Sequence, residues 1–286
     1  NYTEVRISVM KLKGLIVAAV FLLTPSLMSA EPDNPWNRKL PFEQAVITYE
    51  IIGLESGREV LYLRDFGTTA ARHRETSTTV LGITQKNSSV EITTPDWIYF
   101  FDLQEKTGSK SVNPQKLMIE EYDKLSTDEK KKISDNARGM ANMFMGGLQG
   151  SVEPNVKQLL GYSCDRTTAL GSTVYFIHDT GISLLSETDL LGIKMKIVAT
   201  SIQETGAEKR YFEFPEGIVV QHNKEADQMA QMIAQQSMSI LKDPEGHSNK
   251  GQGFMGMPSG EQPAIPQEDQ MEMEEAMKTI KGLLGN

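Results

Sequence analysis

The chain has 286 residues, 39% hydrophobic and 23% charged, with Lys+Arg 29 against Asp+Glu 38 and a formal net charge of −9. This composition excludes wholesale disorder and collagen-like structure, and the length allows one or two domains with a real hydrophobic core. A polyanion of this kind is a poor match for nonspecific nucleic-acid or anionic-membrane binding, so no nucleic-acid partner is expected.

In chain order, the first feature is Met10-Lys11-Leu12-Lys13, followed by an apolar core from Gly14 to Leu23 and by Ser29-Ala30 before Glu31. A basic start, a short apolar segment and a small residue before the cut are the parts of a secretory signal peptide. The apolar segment is shorter than the about twenty residues that span a bilayer. Residues 1–30 therefore read as upstream sequence, ahead of Met10, plus an export signal. They hold Arg6, Lys11 and Lys13 against Glu4, so their removal leaves a net charge of −11. The expected localisation is periplasmic or secreted. Cys164 is the sole cysteine, so no internal disulfide can form, and a buried structural thiol is the expectation.

Residues 31–41 carry Pro32, Pro35 and Pro41 and read as an irregular lead-in. From Phe42 the pattern alternates with period two: Ala45, Ile47, Tyr49 and Ile51 fall on one face of a strand. Glu55-Ser56-Gly57 is a turn signal, and Arg58–Phe66 reads as the returning arm. Thr69–Val80 and Ile83–Thr93 read as two more strands, followed by the aromatic run Trp97-Ile98-Tyr99-Phe100-Phe101. Arg72-His73-Arg74 makes a basic triplet on one of these strands. It reads either as a contact for a phosphate or carboxylate, or as an exposed strand face.

Residues 115–149 break the strand pattern as a helical insertion. Ser126-Thr127-Asp128-Glu129 has the form of a capping box, which predicts two helices meeting near Ser126. Strands resume after Leu160, with Thr173–His178, Ser183–Asp189, Lys194–Gln203 and Lys209–Phe214 as the predicted set. Phe214-Pro215-Glu216-Gly217 is the predicted turn that closes the sheet. Asn223 caps a helix running to Lys242. Residues 243–267 have linker composition, and Met273, Met277, Ile280 and Leu284 place an amphipathic stripe on a last helix.

This order of signal peptide, antiparallel strands, helical insertion, further strands and a closing Phe-Pro-x-Gly turn resembles the periplasmic lipoprotein-carrier superfamily (LolA/LolB-like) and exported domain families that share its half-barrel. The local likeness is best from Gly161 to Ile218. It is carried by Gly161-Tyr162-Ser163-Cys164-Asp165, Leu191-Gly192-Ile193-Lys194-Met195 and Phe212-Glu213-Phe214-Pro215-Glu216-Gly217-Ile218. The resemblance implies an α+β fold: a curved antiparallel sheet, an incomplete barrel, with covering helices, to which this sequence adds a Met-rich C-terminal helical tail. It implies a half-barrel domain over 42–221, and the residues themselves give the helix, linker and terminal helix over 222–286. It also implies an apolar concavity for a hydrophobic or lipidated ligand. Trp97, Tyr99, Phe101, Phe176, Met195 and Ile197 are the candidates for its lining, with Met140, Met143, Phe144 and Met145 for a lid.

The sequence offers no chemistry for catalysis. The four His are scattered without zinc spacing, and no nucleophile elbow, phosphate loop or dinucleotide fingerprint occurs. No enzyme, cofactor or metal ligand set is expected from these motifs. The chain has 15 Met, eight of them beyond residue 221, which leaves Cu(I) handling by thioethers as a second reading. An adaptor that docks its terminal helix on an envelope protein is a third.

Overall fold

The computed structural model describes residues 34–36, 39–80, 83–136, 150–169, 171–190 and 193–243. The predicted export segment, the four lid positions (Met140, Met143, Phe144 and Met145) and the tail beyond Asp243 lie outside these residues.

The described chain is α+β: one open, curved sheet of twelve strands with three helices. The strands are β1 (Ala45–Gly53), β2 (Glu55–Arg64), β3 (Thr69–Val80), β4 (Ile83–Thr93), β5 (Trp97–Asp102) and β6 (Thr107–Val112). They continue with β7 (Ser151–Leu159), β8 (Tyr162–Ala169), β9 (Ser172–Ile177), β10 (Ser183–Leu190), β11 (Ile193–Gln203) and β12 (Val220–His222). The helices are α1 (Pro114–Asp123), α2 (127–136 as described) and α3 (Lys224–Lys242). The sheet order is β12-β6-β5-β4-β3-β2-β1-β11-β10-β9-β8-β7, so the two chain segments on either side of the helical insertion meet through β1 and β11. Every neighbouring pair is antiparallel except β12 with β6.

Period-two patterning sorts the side chains between two faces, and each face has its own core. On one face Ala45, Ile47, Tyr49, Leu61 and Leu63 pack with Cys164, Ile177, Leu184 and Ala199. β8 and β9 are separated from β1 in the sheet by β10 and β11, so these contacts require the sheet to curl inward on this face. On the outer face Ala71, Val90, Ile92 and Phe101 form a second core. Phe212, Ile218 and Val220 from the segment after β11 cover it.

The helices follow their capping signals. Asn113 accepts from the Gln115 amide at 3.0 Å with Pro114 in the first turn, which starts α1. Ser126 Oγ and the Ser126 amide both donate to Glu129 Oε2, at 2.8 and 3.0 Å. The Glu129 amide donates back to Ser126 Oγ at 3.4 Å. This is the reciprocal box that the sequence predicts. α3 is capped by Asn223, whose Oδ1 accepts from the Ala226 amide at 3.0 Å. It packs on α1 and β6 and buries Ala230, Ala234, Met238 and Leu241. The compact unit therefore extends through Lys242, and this helix belongs with the sheet rather than with the tail.

Four sequence expectations are corrected. The first turn lies at Gly53-Leu54, and Glu55-Ser56-Gly57 is already strand. Gly57 pairs with Ile51 at φ +154°, and a Cβ there would collide with the Glu75 carbonyl oxygen. The glycine thus serves close strand approach rather than a turn. Lys209–Phe212 is a 3-10 turn, not a strand, because Tyr211 and Phe212 pack down on the sheet face instead of extending its edge. β6, β7 and most of β8 form from polar segments without strong alternation. The turn before Ile218 does not close the sheet, since β12 follows it and pairs in parallel with β6.

Candidate functional site

The lining candidates fall into groups. Trp97, Tyr99 and Phe101 share the outer face of β5, in register with Val90 and Ile92. Phe101 is fully buried, and Phe214 lies over both Phe101 and Tyr99 with centroids 5.2 and 4.6 Å apart. Trp97 meets the His222 ring edge-on at 5.4 Å, with Lys110 Nζ 4.4 Å from its centroid. These three aromatic rings are thus covered by the chain's own 212–222 segment. Met195 and Ile197 sit on the inner face of β11, opposite Gly53 and Ile51. Phe176 is buried on β9, paired with Asp165. The register of β1 to β5 has no bulge between neighbouring strands, so the β5 trio and the β11 pair stand on opposite faces. One concavity lined by all six does not form.

The inner face of β2 and β3 is charged. Arg72 Nη1 donates to Glu59 Oε1 at 2.5 Å, Arg74 bridges Glu59 and Glu55 at 3.3 and 2.8 Å, and Thr76 Oγ1 donates to Glu55 at 2.6 Å. Glu59 is 2% exposed. Burial works against the Arg72 charge, but Glu59 and Glu91 outweigh it and hold its pKa above the ordinary value. Beside them, burial pushes the Tyr49 phenol well up. The basic triplet is therefore split by strand alternation. Arg72 and Arg74 turn inward, while His73 turns outward against Tyr62 and lies 2.8 Å from the Tyr211 carbonyl oxygen.

The other polar residues singled out in the sequence have local partners. Asp102 Oδ1 accepts from the amides of Gln104 and Glu105 at 2.9 Å, and Asp96 meets Lys116 at 2.6 Å. His222 meets Asp227 at 2.5 Å, and His178 meets Asp165 at 2.7 Å. Cys164 is buried, and burial raises its thiol pKa. Among the described residues no group of three His, Cys, Asp or Glu side chains is placed to hold a metal ion. His247 lies outside them.

Two features come from tertiary structure. The β1–β2, β3–β4, β8–β9 and β10–β11 links all turn at the same end of the sheet, as the pairs Gly53 with Met195, Val80 with Ile83, and Ala169 with Ser172 require. At this end Ile52, Leu54 and Ile83 are 45%, 47% and 70% exposed. Met195 from the predicted lining lies here too. A signal was present, in that Leu54 follows Ile51-Ile52-Gly53 and Ile83 follows a Leu-Gly link. At the far end, where β2 passes to β3, a cavity of about 220 Å³ is lined by Glu43, Gln44, Arg64, Asp65, Ala207 and Lys209. Three separate segments supply these residues, so no local pattern announces them.

No family model and no curated protein matches this chain. Among solved structures, an uncharacterised conserved protein from Thermus thermophilus is similar at 9% identity and a TM-score of 0.37, over 64% of this chain and 92% of that one. A structure of PNGF-II is similar at 11% identity and a TM-score of 0.30, over 69% of this chain and 33% of that one. Both likenesses are too distant to assign a family.

Proposed function

We propose that this is a non-enzymatic exported protein that binds a hydrophobic or lipidated ligand, received at the hairpin end of its half-barrel. The observation that carries the reading is the exposure of Leu54 and Ile83 at that end, with Ile52 exposed on the opposite face of the same strand ends. Large apolar side chains exposed on hairpin ends offer surface that an apolar ligand covers. Burying an acyl chain against them yields about 0.8 kcal/mol per methylene. The resemblance to lipoprotein carriers points the same way. The deep part of the curl is filled by Ile47, Leu61, Cys164 and Ile177, which favours the rim over the interior for this reading.

The test is native mass spectrometry of the full chain expressed with export and purified without detergent, alongside Leu54→Lys with Ile83→Lys. The wild type is expected to carry extra mass matching a lipid or an acylated peptide, and the double variant to lose about tenfold in retention. A bare mass for the wild type, or equal retention by the variant, overturns the reading.

A second reading, Cu(I) handling, draws on Met229 and Met232, which are 41% and 52% exposed and one helical turn apart on α3. Competition against a Cu(I) chelator with the wild type and with Met229→Leu plus Met232→Leu tests it. Equal copper affinity removes it.

A further inference from the structure

The far end of the sheet combines three observations on different residues. First, the link from β2 to β3 is a left-handed turn: Asp65, Phe66 and Gly67 have φ of 54°, 57° and 88° in succession. Two of these are not glycine, and such backbone is costly for a residue with a side chain. The turn is held by its neighbours. The Leu40 amide donates to the Phe66 carbonyl at 2.9 Å, the Phe66 amide donates to the Glu43 carbonyl at 3.0 Å, and Thr68 Oγ1 donates to the Asp65 carbonyl at 2.9 Å. A Cβ on Gly67 would lie 2.5 Å from Leu40 Cδ1, so Leu40 is seated directly on the turn.

Second, the cavity of about 220 Å³ opens beside this turn, with the buried Ala207 on the segment that follows β11. It is smaller than the about 300 to 1,000 Å³ typical of drug-sized ligands, so it fits a small molecule or a head group.

Third, the charges round the cavity are not used by the fold. Glu43, Asp65 and Lys209 make no side-chain hydrogen bond or ion pair among the described residues, and Arg64 only lies over the Phe212 ring at 5.7 Å. Two cations and two carboxylates thus line one cleft without pairing with one another. The inner-face network at Glu59 shows the contrasting case, where opposite charges on the same strands do find each other.

We infer that this cleft binds a small zwitterion, with its phosphate or carboxylate held by Arg64 and Lys209 and its primary ammonium held by Glu43 and Asp65. Opposed charges gathered round one cleft recognise a molecule that bears both signs and discriminate against one that bears either alone. The left-handed turn gives Asp65 its place before the ligand arrives, so little ordering is needed on binding. The shared chemistry has two sources, a free amino acid or a phosphoethanolamine head group. The cleft and the apolar hairpin end are at opposite ends of the sheet, so this inference does not rest on the lipid reading and can stand or fall without it.

The experiment is isothermal titration calorimetry of the full chain with glycerophosphoethanolamine and, separately, with glycine. Glycerophosphate and ethanolamine serve as single-charge controls. At least one zwitterion is expected to bind saturably, and each control about tenfold or more weakly, the change that loss of one charge-assisted hydrogen bond brings. Lys209→Met and Asp65→Asn are each expected to weaken the zwitterion by about tenfold. Both keep the fold, since Lys209 is exposed and Asn accepts the left-handed backbone of position 65. Tighter glycine identifies the amino-acid source, and tighter glycerophosphoethanolamine the head group. Absence of saturable binding by either zwitterion, equal affinity for a single-charge control, or full affinity in both variants overturns the inference.

Discussion

Arg72 Nη1 lies 2.5 Å from Glu59 Oε1 on the inner face of the sheet, and Glu59 is 2% exposed. Two guanidiniums, Arg72 and Arg74, reach this buried carboxylate from the neighbouring strand. The pairing follows from antiparallel register, which sets Glu59 against Arg74 and Leu61 against Arg72.

Removing Glu59 takes away the buried carboxylate that Arg72 and Arg74 share beside the core. Glu59→Ala is expected to cost about 3–5 kcal/mol, and Glu59→Met combined with Arg72→Met to cost less than that single change. Equilibrium urea unfolding of the three proteins checks the order. A double variant less stable than Glu59→Ala would show that the charges contribute more than their own desolvation.

The capping box at Ser126 predicts a smaller effect at an exposed position. Ser126→Ala removes the hydroxyl that bonds both Glu129 Oε2 and the Glu129 amide, and about 1 kcal/mol of stability should go with it. Thermal unfolding detects this. An unchanged midpoint would mean that tertiary contacts at Ile133 alone hold the helix.

Alkaline pH should destabilise the protein. Tyr49, Tyr62 and Tyr162 all have raised pKa values, chiefly through burial, and Tyr162 is pushed up to about 12 with a hydrogen bond to Glu204 adding to it. The folded state keeps phenolic protons that the unfolded chain releases from about pH 10, so stability falls as pH rises through that value. Midpoints measured from about pH 8 to 11 should decline, and Tyr162→Phe should flatten part of the slope. A rising midpoint would contradict the assigned burial.

Cys164 is buried with its thiol pKa raised, so it should react slowly with a disulfide reagent in the folded protein and fast in urea. Equal rates in both conditions would show that the β8–β9 core opens readily.

Substitution at Phe101 separates core from site. Phe101→Ala should lower stability by about 3–5 kcal/mol, because the ring is fully buried between Val90 and Phe214. Leu54→Lys at the exposed hairpin end should stay within about 0.5 kcal/mol of the wild type. Urea midpoints decide between them, and a stable Phe101→Ala would return that ring to the candidates for ligand contact.

Much of the strand content was legible where alternation or β-branched residues mark it. Thr69–Val80 and Ile83–Thr93 have the observed bounds because both are rich in residues that favour extended backbone and are parted by a Leu-Gly link. β7, with Ser151, Glu153, Pro154, Asn155 and Lys157, has little alternation to read, being an edge strand with Asn155 at φ 53°. β12 is three residues long and exists through its partner β6. Of the lining candidates on β5, Phe101 is core, while Trp97 and Tyr99 are half-buried under the chain's own 212–222 segment. The sequence could not say that Met195 and Ile197 face the other way. That depends on the register carried across β4, β3, β2 and β1, where each pairing fixes which neighbours share a face.

The sequence by itself determines the period-two strands, the caps at Ser126 and Asn223 and the segregation of apolar positions, because these are local consequences of side-chain spacing and backbone preference. Tertiary structure alone decides that the sheet curls until Cys164 and Ile177 reach Ile47 and Leu61, and that Arg72 and His73 part to opposite faces. It also gathers Glu43, Arg64 and Lys209 round one cleft from three distant segments. Such juxtapositions arise from long-range pairing of strands, which no window along the chain contains.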